Sequence, residues 1–161
     1  MCIDNSGIMA DTIEIEGILE EGEQAFMAAM AAESIHAGFP SPAQDYMNRC
    51  IDLNRELVRH PASTFYGRVV GDSMIEAGVE EGDILVIDKS ITPSEGDMAV
   101  CFLDGEFALK RVSFSDPAGS SEKGLWLLPA NPKYSPIRVS EEENVTVWGV
   151  VTYVIKKTWR R

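Results

Sequence analysis

The chain has 161 residues, with 26 Asp and Glu against 14 Lys and Arg and a formal net charge of −12. That length fits one compact domain with a real core, and 45% hydrophobic with 25% charged residues is ordinary globular composition, so wholesale disorder is excluded. The chain has no apolar run of the ~18–20 residues a membrane helix needs and no basic, apolar secretory leader, and it is too acidic to hold DNA through phosphates.

The acidity is unevenly placed. Residues 1–37 carry eight acids (Asp4, Asp11, Glu14, Glu16, Glu20, Glu21, Glu23 and Glu33) and no Lys or Arg. Residues 38–161 carry 18 acidic and 14 basic side chains, a net of −4. This pattern describes a flexible acidic N-terminal arm joined to a nearly balanced body. Charge alone implies no more for the arm than a solvated tail. Cys2, Cys50 and Cys101 are odd in number and far apart, and His36 and His60 stand alone in sequence. Neither a disulfide framework nor a zinc site is expected, and free thiols point to a reducing cytoplasm.

In chain order, the alternation from Thr12 to Glu16 predicts a short strand, and the Ala/Met/Glu-rich residues 20–33 are helix-prone. Pro40 and Pro42 hold residues 37–42 as a stiff, extended ribbon. Residues 43–59 read as a helix, with Tyr46, Cys50, Leu53 and Leu57 at spacings of three and four and Pro61 closing the stretch. Strands follow over 65–70, 84–87, 98–103, 106–112, 125–128 and 145–155, with a turn at 71–74 and a surface loop at 114–124. Asp104-Gly105 is a tight hairpin signal between two of these strands. The expected fold is mainly β: a curled antiparallel domain with a short helical segment.

Ser73 in Gly-Asp-Ser-Met, Lys110 on the far arm of the hairpin and the ribbon at Ala37-Gly38 are the features that could carry chemistry. Singly, each has a plain explanation as a turn residue, a solvated lysine and a linker. Together the runs AGFPSPAQDY, IDLN, HPAST, GDSM, GDILVIDKS, DGEFALKR, PAN-KYSPI and WGVVTYVIKK resemble the LexA/UmuD-type self-cleaving Ser-Lys peptidase family, in its UmuD branch. The resemblance runs over residues 37–157.

It implies a LexA C-terminal-like β domain at 38–161 and an arm at 1–37 that self-cleavage removes. Ser73 matches the nucleophile, Lys110 the general base and Ala37–Gly38 the bond that is cut, with the backbone amides of Asp72 and Ser73 as oxyanion hole. It further implies a cytoplasmic homodimer of the SOS DNA-damage response. Cleavage would be stimulated by RecA on single-stranded DNA, and the shortened form would join a UmuC-type DNA polymerase in translesion synthesis. Neither a metal nor an organic cofactor is implied, and no specific DNA or membrane binding is expected.

The physical logic agrees. A Ser hydroxyl needs a base within hydrogen-bond reach, and no His lies near the motif in sequence. A Lys with reference pKa ~10.4 costs about 4.6 kcal/mol to keep neutral at pH 7. Burial removes much of that cost. On its strand Lys110 shares a face with Ala108 and Glu106, with Phe107 and Leu109 on the other. Ala and Gly at the ribbon's head admit a nucleophile without steric hindrance.

The arm is longer and more acidic than the family pattern. It is nonetheless too short and too poor in basic residues for a helix-turn-helix domain, which disfavours a LexA-type repressor fragment. A signal peptidase, which uses a similar dyad, would need a membrane anchor. A catalytically idle UmuD-like interaction module would keep the fold and leave the Ala37–Gly38 bond uncut.

Overall fold

The structure, a computed structural model, describes residues 13–18, 27–30, 49–121, 123–140 and 145–159. In chain order these form β1 (Ile13–Ile18), β2 (Met27–Met30), β3 (Arg49–Asp52), α1 (Leu53–Leu57), β4 (Thr64–Val69), β5 (Ile84–Asp88), β6 (Met98–Leu103), β7 (Glu106–Ser115), β8 (Lys123–Leu128), β9 (Ile137–Arg138) and β10 (Val145–Ile155). Single 3-10 turns stand at Pro61–Ser63 and Ile75–Ala77. The chain divides into two compact units, one of residues 1–19 with 60–161 and the other of residues 20–59.

In the first unit eight strands form one antiparallel sheet in the order β1-β4-β5-β10-β6-β7-β8-β9. The mainly β, antiparallel architecture expected from the turn-punctuated sequence is therefore what the chain adopts. β10 lies between β5 and β6 and slips register against each, between Val151 and Tyr153 and between Val147 and Gly149. Such irregularities bend a strand and increase its twist, the local means of curling a sheet.

Ala99, Val100 and Cys101 of β6 are all buried, because both faces of the sheet are covered at this point. Val100 packs with Val69, Met74, Val79, Leu85, Ile87 and Leu109, while Ala99 and Cys101 pack on the opposite side with Val112 and Leu127. Alternation along the strand separates these two sets. Each fully buried Val, Leu or Ile contributes about 1.5–3 kcal/mol, so these packed layers fix the register that positions the site.

Asp104 and Gly105 both take positive φ (46° and 96°), the conformation a tight hairpin between right-twisted strands requires. β7 runs on to Ser115 and β8 starts at Lys123, so the surface loop is shorter than the composition of 114–124 implies. Pairing of Ser113 with Trp126, and the Phe114 amide on Glu95, carry the strand past its apolar stretch.

His60 opens the unit's second segment at a polar knot. Its Nδ1 lies 2.6 Å from Oδ2 of buried Asp88, whose Oδ1 accepts from Ser63 Oγ, Ser90 N and Ser90 Oγ. Thr64 Oγ1 donates to the His60 carbonyl at 2.8 Å.

The second unit corrects the helical expectations. Met27–Met30, inside the helix-prone stretch 20–33, is a strand paired antiparallel with Arg49–Asp52, inside the expected helix 43–59. Pairing has overridden Ala and Met propensity, which is a weak prior. The helix is confined to Leu53–Leu57 because Asp52 caps it: Oδ1 accepts from the amides of Asn54 and Arg55. The helix stops at Val58, whose backbone is extended, and the rest of 20–33 and residues 43–48 lie outside the described residues, as do Ala37, Gly38 and most of the acidic arm.

Candidate active site

Ser73 sits in the turn after β4. The chain leaves the strand at Val69, reverses through Gly71 at φ 95° and enters the 3-10 turn at Ile75. Met74 is buried in the core beside Val79 and Leu85, which draws the neighbouring Ser73 inward to 3% exposure. Lys110 comes from the middle of β7, opposite Ala99 of β6, with Ala108 opposite Cys101 two pairs away on the same face. Its side chain thus rises from a face of small residues and is only 6% exposed. Glu106, on the same strand face, is exposed near the hairpin end.

The fold brings the two together. Lys110 Nζ donates to Ser73 Oγ at 2.9 Å, within proton-transfer reach. Burial of both groups removes the competition of water for this contact. Cys101 marks the same environment: burial pushes its thiol up to about 12, although the charge of Lys110 pulls the other way.

Asp72 is held from outside the turn. Its carboxylate accepts from Tyr134 Oη at 2.6 Å and from Lys133 Nζ at 2.9 Å, and its carbonyl accepts from Asn131 Nδ2 at 2.9 Å. The Tyr134 hydroxyl, then the Lys133 ammonium, hold the Asp72 carboxyl below its ordinary value. The Ala130 amide donates to the Ser73 carbonyl at 2.8 Å, and the Glu76 amide to the Ala130 carbonyl at 2.9 Å. The Ser73 turn and residues 130–134 are therefore laced together by backbone and side-chain bonds.

None of residues 130–134 was singled out for chemistry by sequence reasoning. The signal was the PAN-KY run itself, a turn signature whose place in space cannot be read 59 residues from Asp72. An open groove of about 710 Å³ borders the turn, with Asp72, Ile75, Asp83, Lys157 and Trp159 among its walls. Lys156, at the same end of the chain, is tied to Asp83 at 2.8 Å and Glu80 at 3.6 Å. The bond between Ala37 and Gly38 lies outside the described residues.

Comparison with known proteins agrees with the resemblance read from the motifs. A family model described as Peptidase S24-like matches residues 29–152. The chain is 41% identical to Protein SamA of Salmonella typhimurium over 131 residues, covering 81% of this chain and 86% of that protein. It is 38% identical to Protein ImpA of Escherichia coli over 143 residues, covering 85% and 89%. The LexA repressor of Mycobacteroides abscessus is 31% identical over 155 residues, covering 96% of this chain and 64% of the repressor.

Proposed function

We propose, from the premise that this chain belongs to the Peptidase S24-like family of serine peptidases of the LexA/UmuD kind, that it cuts its own Ala37–Gly38 bond with Ser73 as nucleophile and Lys110 as general base. The observation that carries this reading is the 2.9 Å contact between Lys110 Nζ and Ser73 Oγ, made by two buried side chains.

Across that contact a neutral Lys110 takes the Ser73 proton as Oγ attacks the Ala37 carbonyl carbon. The oxyanion that forms is held by the backbone amides of Asp72 and Ser73. Lys110 then returns the proton to the Gly38 nitrogen, the C–N bond breaks, and Ala37 remains as an ester on Ser73. Water, deprotonated by the same amine, releases the arm and restores the hydroxyl.

Cleavage divides the chain into an acidic arm, residues 1–37, and a peptidase domain, residues 38–161. The cut form then acts by binding, as the processed subunit of an error-prone UmuC-type polymerase in SOS mutagenesis. A homodimer is the working form, and a RecA filament on single-stranded DNA stimulates the cut, in the cytoplasm. Among the described residues no helix is long and apolar enough to cross a membrane.

The test is direct. The purified chain is incubated with RecA bound to single-stranded DNA, or alone at alkaline pH, and its products are weighed. The reading requires a fragment that starts at Gly38 and its absence from Ser73→Ala. Cutting at that bond by the Ser73→Ala protein would falsify the mechanism.

A further inference from the structure

Two peptide planes flank Ser73, and residues from one distant loop hold both. The carbonyl of the 73–74 peptide accepts from the Ala130 amide at 2.8 Å. The carbonyl of the 72–73 peptide accepts from Asn131 Nδ2 at 2.9 Å, and from the Ile75 amide at 3.2 Å. In a trans peptide the carbonyl and the following N–H point to opposite sides of one plane. Whatever fixes the Asp72 carbonyl therefore also fixes the direction of the Ser73 N–H.

Asn131 is built for this task. It is 7% exposed, its Oδ1 accepts from the Lys133 amide at 3.1 Å, and its carbonyl accepts from the Tyr134 amide at 3.1 Å. The side chain must accept on one atom and donate from the other, which an amide does and a carboxylate or an aliphatic group does not. With Oδ1 engaged in its own turn, Nδ2 serves Asp72, donating to its carbonyl and also bonding its carboxylate.

We propose that Asn131 is a positioning residue for peptide cleavage: by holding the Asp72 carbonyl it aims the Ser73 amide at the developing oxyanion. The inference rests on the self-cleavage reading above and names a residue that acts without touching the reacting atoms. An oxyanion donor is effective only when pre-aligned, and a displacement of about 1 Å can cost on the order of a hundredfold in rate.

The experiment follows self-cleavage of the full-length chain from pH 7 to 10 for the wild type, Asn131→Ala, Asn131→Asp and Ser73→Ala, with thermal unfolding of each. Asn131→Asp keeps the acceptor for the Lys133 amide, loses the donor and adds a negative charge beside Asp72, so it serves for the rate where Asn131→Ala does not fold, while the midpoint is read from the uncharged Asn131→Ala. The expected result is a plateau rate about tenfold to a hundredfold lower in both Asn131 variants. The pH midpoint set by Lys110 should stay in place, and unfolding should stay cooperative.

Wild-type plateau rates in Asn131→Asp would overturn the proposal, because donation to Asp72 would then be irrelevant. A shifted midpoint in the uncharged Asn131→Ala would also overturn it, since Asn131 would then act through Lys110. A rate loss matched by the loss of folded protein would reduce Asn131 to a structural residue. A wild type that does not cut, or a Ser73→Ala protein that does, would instead overturn the parent reading.

Discussion

Lys110 reaches Ser73 at 2.9 Å although 37 residues separate them. The approach depends on the pairing of β6 with β7, which sets Lys110 opposite Ala99 and leaves room above a face of small side chains. A lysine in that position is poorly placed for stability and well placed for proton transfer.

Replacing Lys110 by Met separates these two properties. Met is unbranched and of similar length, and a buried cation exchanged for an apolar side chain is often neutral or stabilising. Self-cleavage should fall by about 10²-fold or more, while the melting temperature holds or rises. Mass spectrometry and calorimetry on one preparation check both, and cleavage at the wild-type rate would remove Lys110 from the mechanism.

The rate of cleavage should climb with pH, by up to about tenfold per unit, until Lys110 is mostly neutral. The sign follows from the base being the deprotonated amine. A profile that is flat from pH 7 to 10 would contradict it.

Asp88 governs behaviour in acid. Burial raises its pKa, but the bonds from Ser90, His60 and Ser63 outweigh this and lower it from 3.8 to about 2. A depressed carboxylate stabilises the fold fully above its unfolded value, and that contribution is lost as pH falls from 3.8 through about 2. Asp88→Asn should cost about 1–3 kcal/mol at pH 7 and flatten the loss of stability between pH 4 and 2. Urea unfolding across that range measures both effects, and an unchanged slope would show that Asp88 is not the group responsible.

Gly149 of β10 has no room for a side chain. A Cβ there would lie 2.7 Å from Ile87 Cγ2 and 3.3 Å from the Asp88 carbonyl oxygen. Gly149→Ala should destabilise the domain by about 1–3 kcal/mol. Gly124→Ala, whose Cβ would meet only Trp126 Nε1 at 3.9 Å, is the control that should leave stability nearly unchanged. Equal denaturation midpoints for the two would refute the packing argument.

Much of the first unit was legible in the sequence. The apolar runs that became β5 and β6 are bounded by Gly, Asp and Pro, and Asp104-Gly105 announced its hairpin by chemistry alone. Local patterns failed where partners decide: Ala28 and Ala29 lie in a strand because Ile51 and Cys50 pair with them. The site divides the same way. Ser73 and Lys110 were nominated by motif, but their distance depends on register and on the burial of Met74. The loop at 130–134 was invisible as a support, since its role is defined only by where the chain returns.

The bonds around Ser73 also impose an order in time. Lys110, Ala130, Asn131 and Tyr134, the groups that touch or brace the turn, all follow it in the chain. During synthesis the arm and Ser73 leave the ribosome well before these residues do. A nascent chain therefore displays its scissile bond and its hydroxyl together while the amine and the bracing loop do not yet exist. Under the proposed mechanism, the order of residues along a single polypeptide prevents cutting before the base and its bracing loop have been made.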